Sequence, residues 1–169
     1  YTLSLHDALP ICLDGAGFHG GYNHIVYQMV GQPLGVFYLP HSTGLESDGN
    51  GGYTYGIADL NGGGVSLEDG EDRYVAGQAV PKTILGSNIS FRYKRFDLSL
   101  QVNGAFGHKI YNGTSLTYMN MNIFPDYNVM KKAPKQNIKD QTATDYWLEK
   151  GDYVNFDYVT LGWNVPIEK

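Results

Sequence analysis

The chain has 169 residues, a net charge of −5, 14 tyrosines, 22 glycines and only 17% charged residues. This charge leaves no basic patch, so nucleic acid is not an expected partner. The single cysteine, Cys12, excludes an intrachain disulfide framework and a cysteine-based zinc site. No window of 18 consecutive apolar residues is present, which excludes a transmembrane helix but leaves open a transmembrane β-barrel, whose strands give a weaker signal.

The first eleven residues, YTLSLHDALPI, resemble an in-frame translation of a common short-read sequencing adapter. Segments of such origin are left out of fold reasoning. We therefore expect an artefact at residues 1–11 and a partial domain at residues 12–169.

Residues 41–80 contain few apolar anchors and many turn residues, which predicts a long loop with one small hairpin near residues 53–57. Within it, Asp59 and Asn61 occupy positions 1 and 3 of an EF-hand-like spacing, but positions 5 and 12 are Gly63 and Gly70. Two ligands are therefore missing. An Asn/Gly turn followed by a solvated acidic loop is the favoured interpretation, and a loosely held calcium ion at Asp59 and Asn61 is the alternative.

Two segments show strict alternation of apolar and polar residues, which predicts β-strands at 83–93 and 96–106. Lys94 and Arg95 separate them, so we expect a tight antiparallel hairpin. Tilted strands of about 9–11 residues cross the apolar part of a bilayer, and both segments have this length. A soluble sheet with one wet face would show the same alternation.

Residues 107–150 are again mostly polar and predict a second long loop. The last predicted strand, 152–165, has two phases. Val154, Phe156 and Tyr158 share one parity, whereas Val159, Leu161, Trp163 and Val165 share the other. A β-bulge near Tyr158 and Val159 would shift the register by one residue; alternatively, one half of the strand stands outside the membrane.

Short turns at one end of the strands and long loops at the other are typical of an outer-membrane barrel. The sequence thus favours an all-β fold, with antiparallel strands of a partial transmembrane β-barrel and long extracellular loops. The alternative is a soluble β-sandwich that binds carbohydrate through tyrosines 53, 55, 111 and 118. No nucleophile motif, phosphate loop or metal-ligand spacing is found, so neither an enzyme nor a cofactor is expected and no catalytic residue is assigned.

Several segments together resemble the C-terminal barrel region of SusC/RagA-type TonB-dependent outer-membrane receptors of Bacteroidota. The matching segments, between about residues 22 and 166, are GQPLGVFY at 31–38, DLNGGG at 59–64, DRYVAG at 72–77, YKRFDLS at 93–99, residues 107–113, YWLEKGDY at 146–153 and TLGWN at 160–164. The sequence departs from the family at Gly63, where an Asp is common.

The resemblance implies a fragment of a large barrel in the cell outer membrane that imports glycans or peptides. It also implies three partners: outer-membrane lipid, the TonB system, and a SusD-like surface lipoprotein that closes the barrel from outside. It assigns no substrate-binding residue, because the family has no fixed ligand motif in this region.

Overall fold

The structure is a computed structural model that describes residues 11–12, 25–67 and 71–166. Its strands are β1 (Ile11–Cys12), β2 (Val26–Gln28), β3 (Val36–Pro40), β4 (Ser42–Ser47), β5 (Tyr53–Ile57), β6 (Arg73–Gln78), β7 (Thr83–Tyr93), β8 (Phe96–Phe106), β9 (Lys109–Tyr111), β10 (Leu148–Lys150) and β11 (Tyr153–Trp163). The helices are α1 (Gly113–Tyr118), α2 (Ala133–Gln136) and two short 3-10 helices, Met121–Ile123 and Asp145–Trp147.

The described strands form four sheets, which confirms the predicted all-β class. The pairs β1-β2, β2-β3, β3-β6, β4-β5, β7-β8 and β8-β11 are antiparallel. The strand orders are β1-β2-β3-β6, β4-β5, β10-β9 and β11-β8-β7. None of the helices in these ranges is long and apolar enough to cross a membrane. Residues 1–10, which contain most of the adapter-like segment, lie outside the described residues.

The chain divides into two compact units. The first unit comprises Tyr1–Val80 and Lys109–Glu149, and the second comprises Pro81–His108 and Lys150–Lys169.

The prediction of two long loops is wrong, because both ranges contain regular secondary structure. Residues 41–80 contain β4, β5 and β6, and residues 107–150 contain β9, β10 and all the described helices. The predicted small hairpin near residues 53–57 is present. Residues 53–57 form its second strand, β5, which pairs with β4, for example Tyr55 with Leu45. These strands are too short for a clear alternation, so local sequence carries little of the signal.

A small core explains why these segments are ordered. The buried side chains come from strands and helices far apart in sequence, namely Ile25, Phe37, Leu39, Tyr55, Ala76, Leu116, Ile138 and Ala143. Leu116 of α1 and Ile138 are fully buried. Burying an aliphatic side chain stabilises a fold by roughly 1.5–3 kcal/mol, so the apolar residues scattered through the predicted loops help to order them.

Short polar residues start the helical segments. The Asn112 side chain accepts a hydrogen bond from the Ser115 amide at 2.9 Å and thereby caps α1. Thr144, which is buried, caps the 3-10 helix Asp145–Trp147 in the same way. Such caps satisfy amides that have no partner inside the helix.

The second unit is a three-stranded meander with β8 in the middle. The observed bounds of β7 and β8 coincide with the ranges that alternation gives, and β11 is shorter than the predicted 152–165. The two-residue turn between β7 and β8 places Lys94 at a φ of 52°. A positive φ at this position is what tight hairpin turns need to match the twist of the strands.

Candidate functional site

One face of the β11-β8-β7 sheet is almost entirely apolar. The register places Ile89, Leu100 and Val159 in one row across the three strands. The next row towards the turn holds Phe91, Leu98 and Leu161. Those on the outer strands β7 and β11 are exposed, with Leu161 at 74% and Phe91 at 61%, whereas Leu100 on the central strand is half-buried. Soluble monomers rarely expose a contiguous apolar surface of this size, so the face requires an apolar covering.

A β-bulge keeps this face continuous along β11. Phe156 pairs with Val102 and Tyr158 pairs with Gln101, which leaves Asp157 as an extra residue. The bulge resets the parity, so Val154 and Phe156 share a face with Val159, Leu161 and Trp163. The predicted bulge is therefore present, one residue earlier than expected, and Tyr158 lies on the polar face instead of beside Phe156.

The length of the face agrees with a bilayer. Strands β7, β8 and β11 each contain 11 residues. At a rise of ~3.3 Å per residue, the strands are ~33 Å long, and a tilt of 35–45° reduces the height to ~25 Å. An apolar band of about 25 Å surrounds outer-membrane barrels.

Aromatic side chains close the apolar face at the hairpin end. Tyr93, Phe96 and Trp163 form one row across the three strands. The rings of Phe96 and Trp163 stack with centroids 6.3 Å apart, and the Nζ atom of Lys94 lies 5.3 Å from the Tyr93 ring centroid. Aromatic rings with adjacent cations are typical of the boundary between hydrocarbon and headgroups.

A shallow depression interrupts the apolar face near the other end of the strands. It has a volume of about 260 Å³, and Leu85, Val102 and Val154 contribute to its lining. The small residues Ser87 and Gly104 create it, because they carry little or no side chain where their neighbours carry large ones. The Phe106 ring partly covers Gly104, since a Cβ there would lie 3.0 Å from a ring carbon.

The opposite face of the sheet is polar, and several of its side chains form hydrogen bonds with Asp157 at the bulge. The Asp157 carboxylate accepts hydrogen bonds from the side-chain amides of Gln101 (3.1 Å), Asn155 (2.9 Å) and Asn103. Next to it, the Asn88 amide donates to the Tyr158 hydroxyl at 3.2 Å. We call these six residues the Asp157 network. Arg92 and Asp97 lie opposite each other nearer the turn on the same face.

The loop that contains the candidate calcium ligands Asp59 and Asn61 is organised by hydrogen bonds to backbone amides. The Asp59 carboxylate accepts from the amides of Gly62 (2.6 Å) and Gly64 (3.0 Å), and the Asn61 side-chain oxygen accepts from that of Gly63 (2.7 Å). Asp72 accepts from the amides of Leu60 and Ser66, each at 2.7 Å.

These amides, with Ser66 first, lower the pKa of Asp72. Within the described residues no group of three or more potential ligands converges on one point. Glu68, Asp69 and Gly70 lie outside those residues. Calcium at Asp59 and Asn61 stays a prediction.

Another carboxylate, Asp145, forms hydrogen bonds with residues of the first unit that are remote from it in sequence. It accepts hydrogen bonds from His41 Nδ1 (2.7 Å), the Tyr74 hydroxyl (2.7 Å) and the Ser42 amide (2.6 Å). Burial alone would raise the pKa of Asp145, but these three bonds outweigh it, and the pKa lies below its usual value. Burial, with the bond to Asp145, raises the pKa of Tyr74 to about 12.

The four tyrosines proposed as sugar-stacking residues lie in different environments, two packed in or against the core and two exposed. Tyr55 is buried in the core, where its hydroxyl accepts a 2.7 Å hydrogen bond from the Trp147 ring, and Tyr111 packs against the same core. Burial raises the pKa of Tyr55 to about 12. Tyr53 and Tyr118 are exposed by 43% and 44%. Two of the four therefore have a packing role, which weakens the case for a carbohydrate-binding sandwich.

Comparison with known proteins relates the chain to one class of membrane protein. No family model matches the chain. It is 26% identical to TonB-dependent receptor P3 of Formosa agariphila over 185 residues, which covers 97% of this chain and 18% of that receptor. It is 27% identical to TonB-dependent receptor P26 of the same organism over 125 residues, which covers 66% of this chain and 12% of that receptor.

The chain is therefore weakly homologous to TonB-dependent receptors. It spans less than a fifth of the length of either relative. TonB-dependent receptors are outer-membrane transporters and not enzymes, which confirms the predicted localisation, the cell outer membrane. An alignment over 97% of the chain reaches into residues 1–11, so the adapter interpretation of that segment stays a prediction.

Sequence reasoning located both faces of the sheet but missed Asp157, Asp72 and Asp145. Asp157 could have been found, because an extra polar residue between two apolar runs of opposite parity is the signature of a bulge. Asp145 gave no local signal, since its partner His41 is 104 residues away.

Proposed function

We propose that this chain is part of the barrel wall of a SusC/RagA-type TonB-dependent receptor that imports glycans or peptides across the outer membrane. The continuous apolar face of β7, β8 and β11 is the observation that carries this assignment. In this arrangement the apolar face contacts lipid and the Asp157 network faces the water-filled interior. The first unit supplies ordered segments between the spanning strands. The weak homology to TonB-dependent receptors supports the class, and the segments quoted above support the subfamily.

The same assignment supplies the partners. The intact receptor would take energy from the TonB system and would be closed from outside by a SusD-like lipoprotein. Both follow from the family resemblance, as does the substrate class.

The assignment of one face of β8 to lipid and the other to water provides the test. Leu100 lies in the middle row of the apolar face, and Gln101 is its neighbour on the polar face. In the intact receptor, we expect Leu100→Arg to cost about 2–4 kcal/mol of barrel stability, because the charge enters hydrocarbon near the bilayer midplane. Gln101→Arg is expected to assemble like the wild type, because its side chain reaches water.

Assembly is measured by the electrophoretic mobility difference between folded and heat-denatured receptor in outer-membrane fractions. The two variants carry the same new side chain at adjacent positions, so each is the matched control of the other. Equal assembly of the two variants would refute the assignment of the faces.

A further inference from the structure

Two aromatic side chains of the first unit project outside its core. Phe124 is 58% exposed and Tyr127 is 65% exposed, and residues 124–128 are exposed without interruption. The core does not lack apolar side chains in this part of the chain, because Ala133 and Ile138 are completely buried. The two rings are therefore available to a partner.

Hydrogen bonds of the backbone hold this exposed segment in one conformation. The Tyr127 amide donates to the Ile123 carbonyl at 2.9 Å, and the Met130 amide donates to the Tyr118 carbonyl at 2.8 Å. The Ala133 amide, at the start of α2, donates to the Met130 carbonyl at 2.8 Å. Because the segment is already ordered, binding a partner costs it little conformational entropy.

Three exposed lysines follow the aromatic residues. Lys131 and Lys132 precede the first residue of α2, and Lys135 lies within it. Their side chains form no hydrogen bond or ion pair with the described residues. Residues 124–136 contain these three lysines and one acid, Asp126, which gives a net charge of +2 in a chain whose net charge is −5. Such a surface is complementary to an anionic partner. We call it the Lys/aromatic surface, and it consists of Phe124, Tyr127, Lys131, Lys132 and Lys135.

The composition of the Lys/aromatic surface favours a lipid surface over a protein partner or a small anion. Protein–protein interfaces are enriched in arginine and depleted of lysine, whereas residues 124–136 contain three lysines and no arginine. A small ligand needs a concave site, but the aromatic residues lie in a continuously exposed segment. Aromatic rings beside lysines are typical of the membrane boundary, where the rings enter the interface and the ammonium groups reach anionic headgroups.

The position of the segment in the chain agrees with this partner. β8 ends at Phe106 and β11 begins at Tyr153, both at the end of the sheet away from the Lys94–Arg95 turn. In the proposed barrel, the chain between these two strands therefore starts and ends at one boundary of the membrane. The Lys/aromatic surface belongs to this connection.

We propose that the Lys/aromatic surface binds the anionic, phosphate-bearing headgroups of the surrounding lipid. This inference rests on the proposed function, since it needs a barrel in a bilayer, and it adds a lipid contact outside the spanning strands. The three ammonium groups pair with headgroup phosphates, and the rings of Phe124 and Tyr127 enter between the headgroups. Asp126 opposes the attraction, because its carboxylate has the same sign as the headgroups.

The test uses the intact receptor in two kinds of lipid nanodisc. One contains phosphatidylcholine alone, and the other contains phosphatidylcholine mixed with anionic phosphatidylglycerol. Hydrogen exchange of residues 124–132 is measured by mass spectrometry. We expect exchange to be about tenfold slower in the anionic nanodisc, because each lysine near such a surface contributes about a fivefold preference. We expect the difference to disappear at about 1 M salt, where charges are screened within about 3 Å.

Charge variants show whether the lysines cause the effect. The double variant Lys131→Gln/Lys132→Gln should lose most of the slowing, and Asp126→Asn should increase it. The matched control is Lys131→Arg/Lys132→Arg, which keeps both charges at the same positions and should keep the slowing. If the glutamine variant does not assemble, the comparison of wild type with Asp126→Asn still decides the outcome.

Three results would overturn the inference and leave the transporter assignment intact. They are equal exchange of the wild type in the two nanodiscs, which would favour an acidic protein as the partner, full slowing in the glutamine variant, and a weaker effect in Asp126→Asn than in the wild type. Failure of the wild type to enter nanodiscs as a heat-modifiable barrel overturns both the inference and the assignment.

Discussion

The Asp145 carboxylate connects three parts of the first unit that are remote in sequence. It accepts hydrogen bonds from His41, Ser42 and Tyr74, and it belongs to the 3-10 helix Asp145–Trp147. Hydrogen bonds to charged groups contribute about 1.5–3 kcal/mol each when their partners are kept from water. Asp145 therefore helps to hold these three parts of the first unit together.

The pH dependence follows from the lowered pKa of Asp145. A carboxyl group whose pKa is lower in the folded state stabilises the fold fully above its unfolded pKa, about 3.9. That contribution is lost as the pH falls through the lower, folded value. We therefore expect local protection around Ser42 to fall as the pH drops below about 4.

Asp145→Asn in the intact receptor tests this link. We expect the variant to lose about 1–3 kcal/mol of local opening free energy at pH 7, and to lose less than the wild type on acidification. The measurement is hydrogen exchange of the peptide containing Ser42, corrected for the intrinsic rate at each pH. Asp126→Asn, at an exposed carboxylate, is the control. A wild-type protection that does not fall below about pH 4 would contradict the assignment.

Individual polar residues were the hardest part to predict from the sequence. Asp72 is fully buried, yet it lies in a run of acidic residues that looks like a solvated loop. Its partners are backbone amides of Leu60 and Ser66, and backbone amides leave no trace in the choice of side chain. Asp145 is hard to predict for another reason, because its side-chain partners His41 and Tyr74 are remote from it in sequence.

At the scale of single elements, the bulge makes β11 tolerant of one deletion but not of two. Deleting Asp157 leaves Phe156 on the apolar face and Tyr158 on the polar face, so the pairing with β8 becomes regular. Deleting Thr160 as well moves Leu161 and Trp163 to the polar face, because no extra residue then remains to absorb a one-residue shift.

We expect the receptor lacking Asp157 to assemble at close to the wild-type level, and the receptor lacking both Asp157 and Thr160 to fail. Heat-modifiable migration in outer-membrane fractions reports both outcomes. Failure of the single deletion, or normal assembly of the double deletion, would contradict the register described for β11 and β8.

Elements differed in how well the sequence predicted them. β7 and β8 each contain 11 residues with one clean alternation and a two-residue turn between them, so local pattern fixes both ends. β3 and β6 are short and pair across more than thirty intervening residues, as Phe37 with Gly77 shows. Their existence depends on the shared core around Phe37 and Leu116, and single-segment patterns do not contain that information.

At the scale of the whole molecule, the described sheet of the second unit cannot bury its own apolar face. β7 is exposed along its full length, and in β8 the buried residues are Gly104 and Ala105. Lipid supplies the missing covering in the proposed barrel. The chain's similarity to 18% of a TonB-dependent receptor agrees with a segment whose apolar face is covered within a larger assembly.

The accessibility of nitroxide spin labels along β8 to two relaxing agents tests this claim most directly. Labels are placed one at a time at Leu98, Leu100 and Val102, and as controls at Ser99, Gln101 and Asn103, in the intact receptor reconstituted in bilayers. Oxygen, which concentrates in hydrocarbon, should relax the labels of the first set, and a water-soluble nickel chelate should relax those of the second set. Contact with the nickel chelate at positions 98, 100 and 102 would contradict the account.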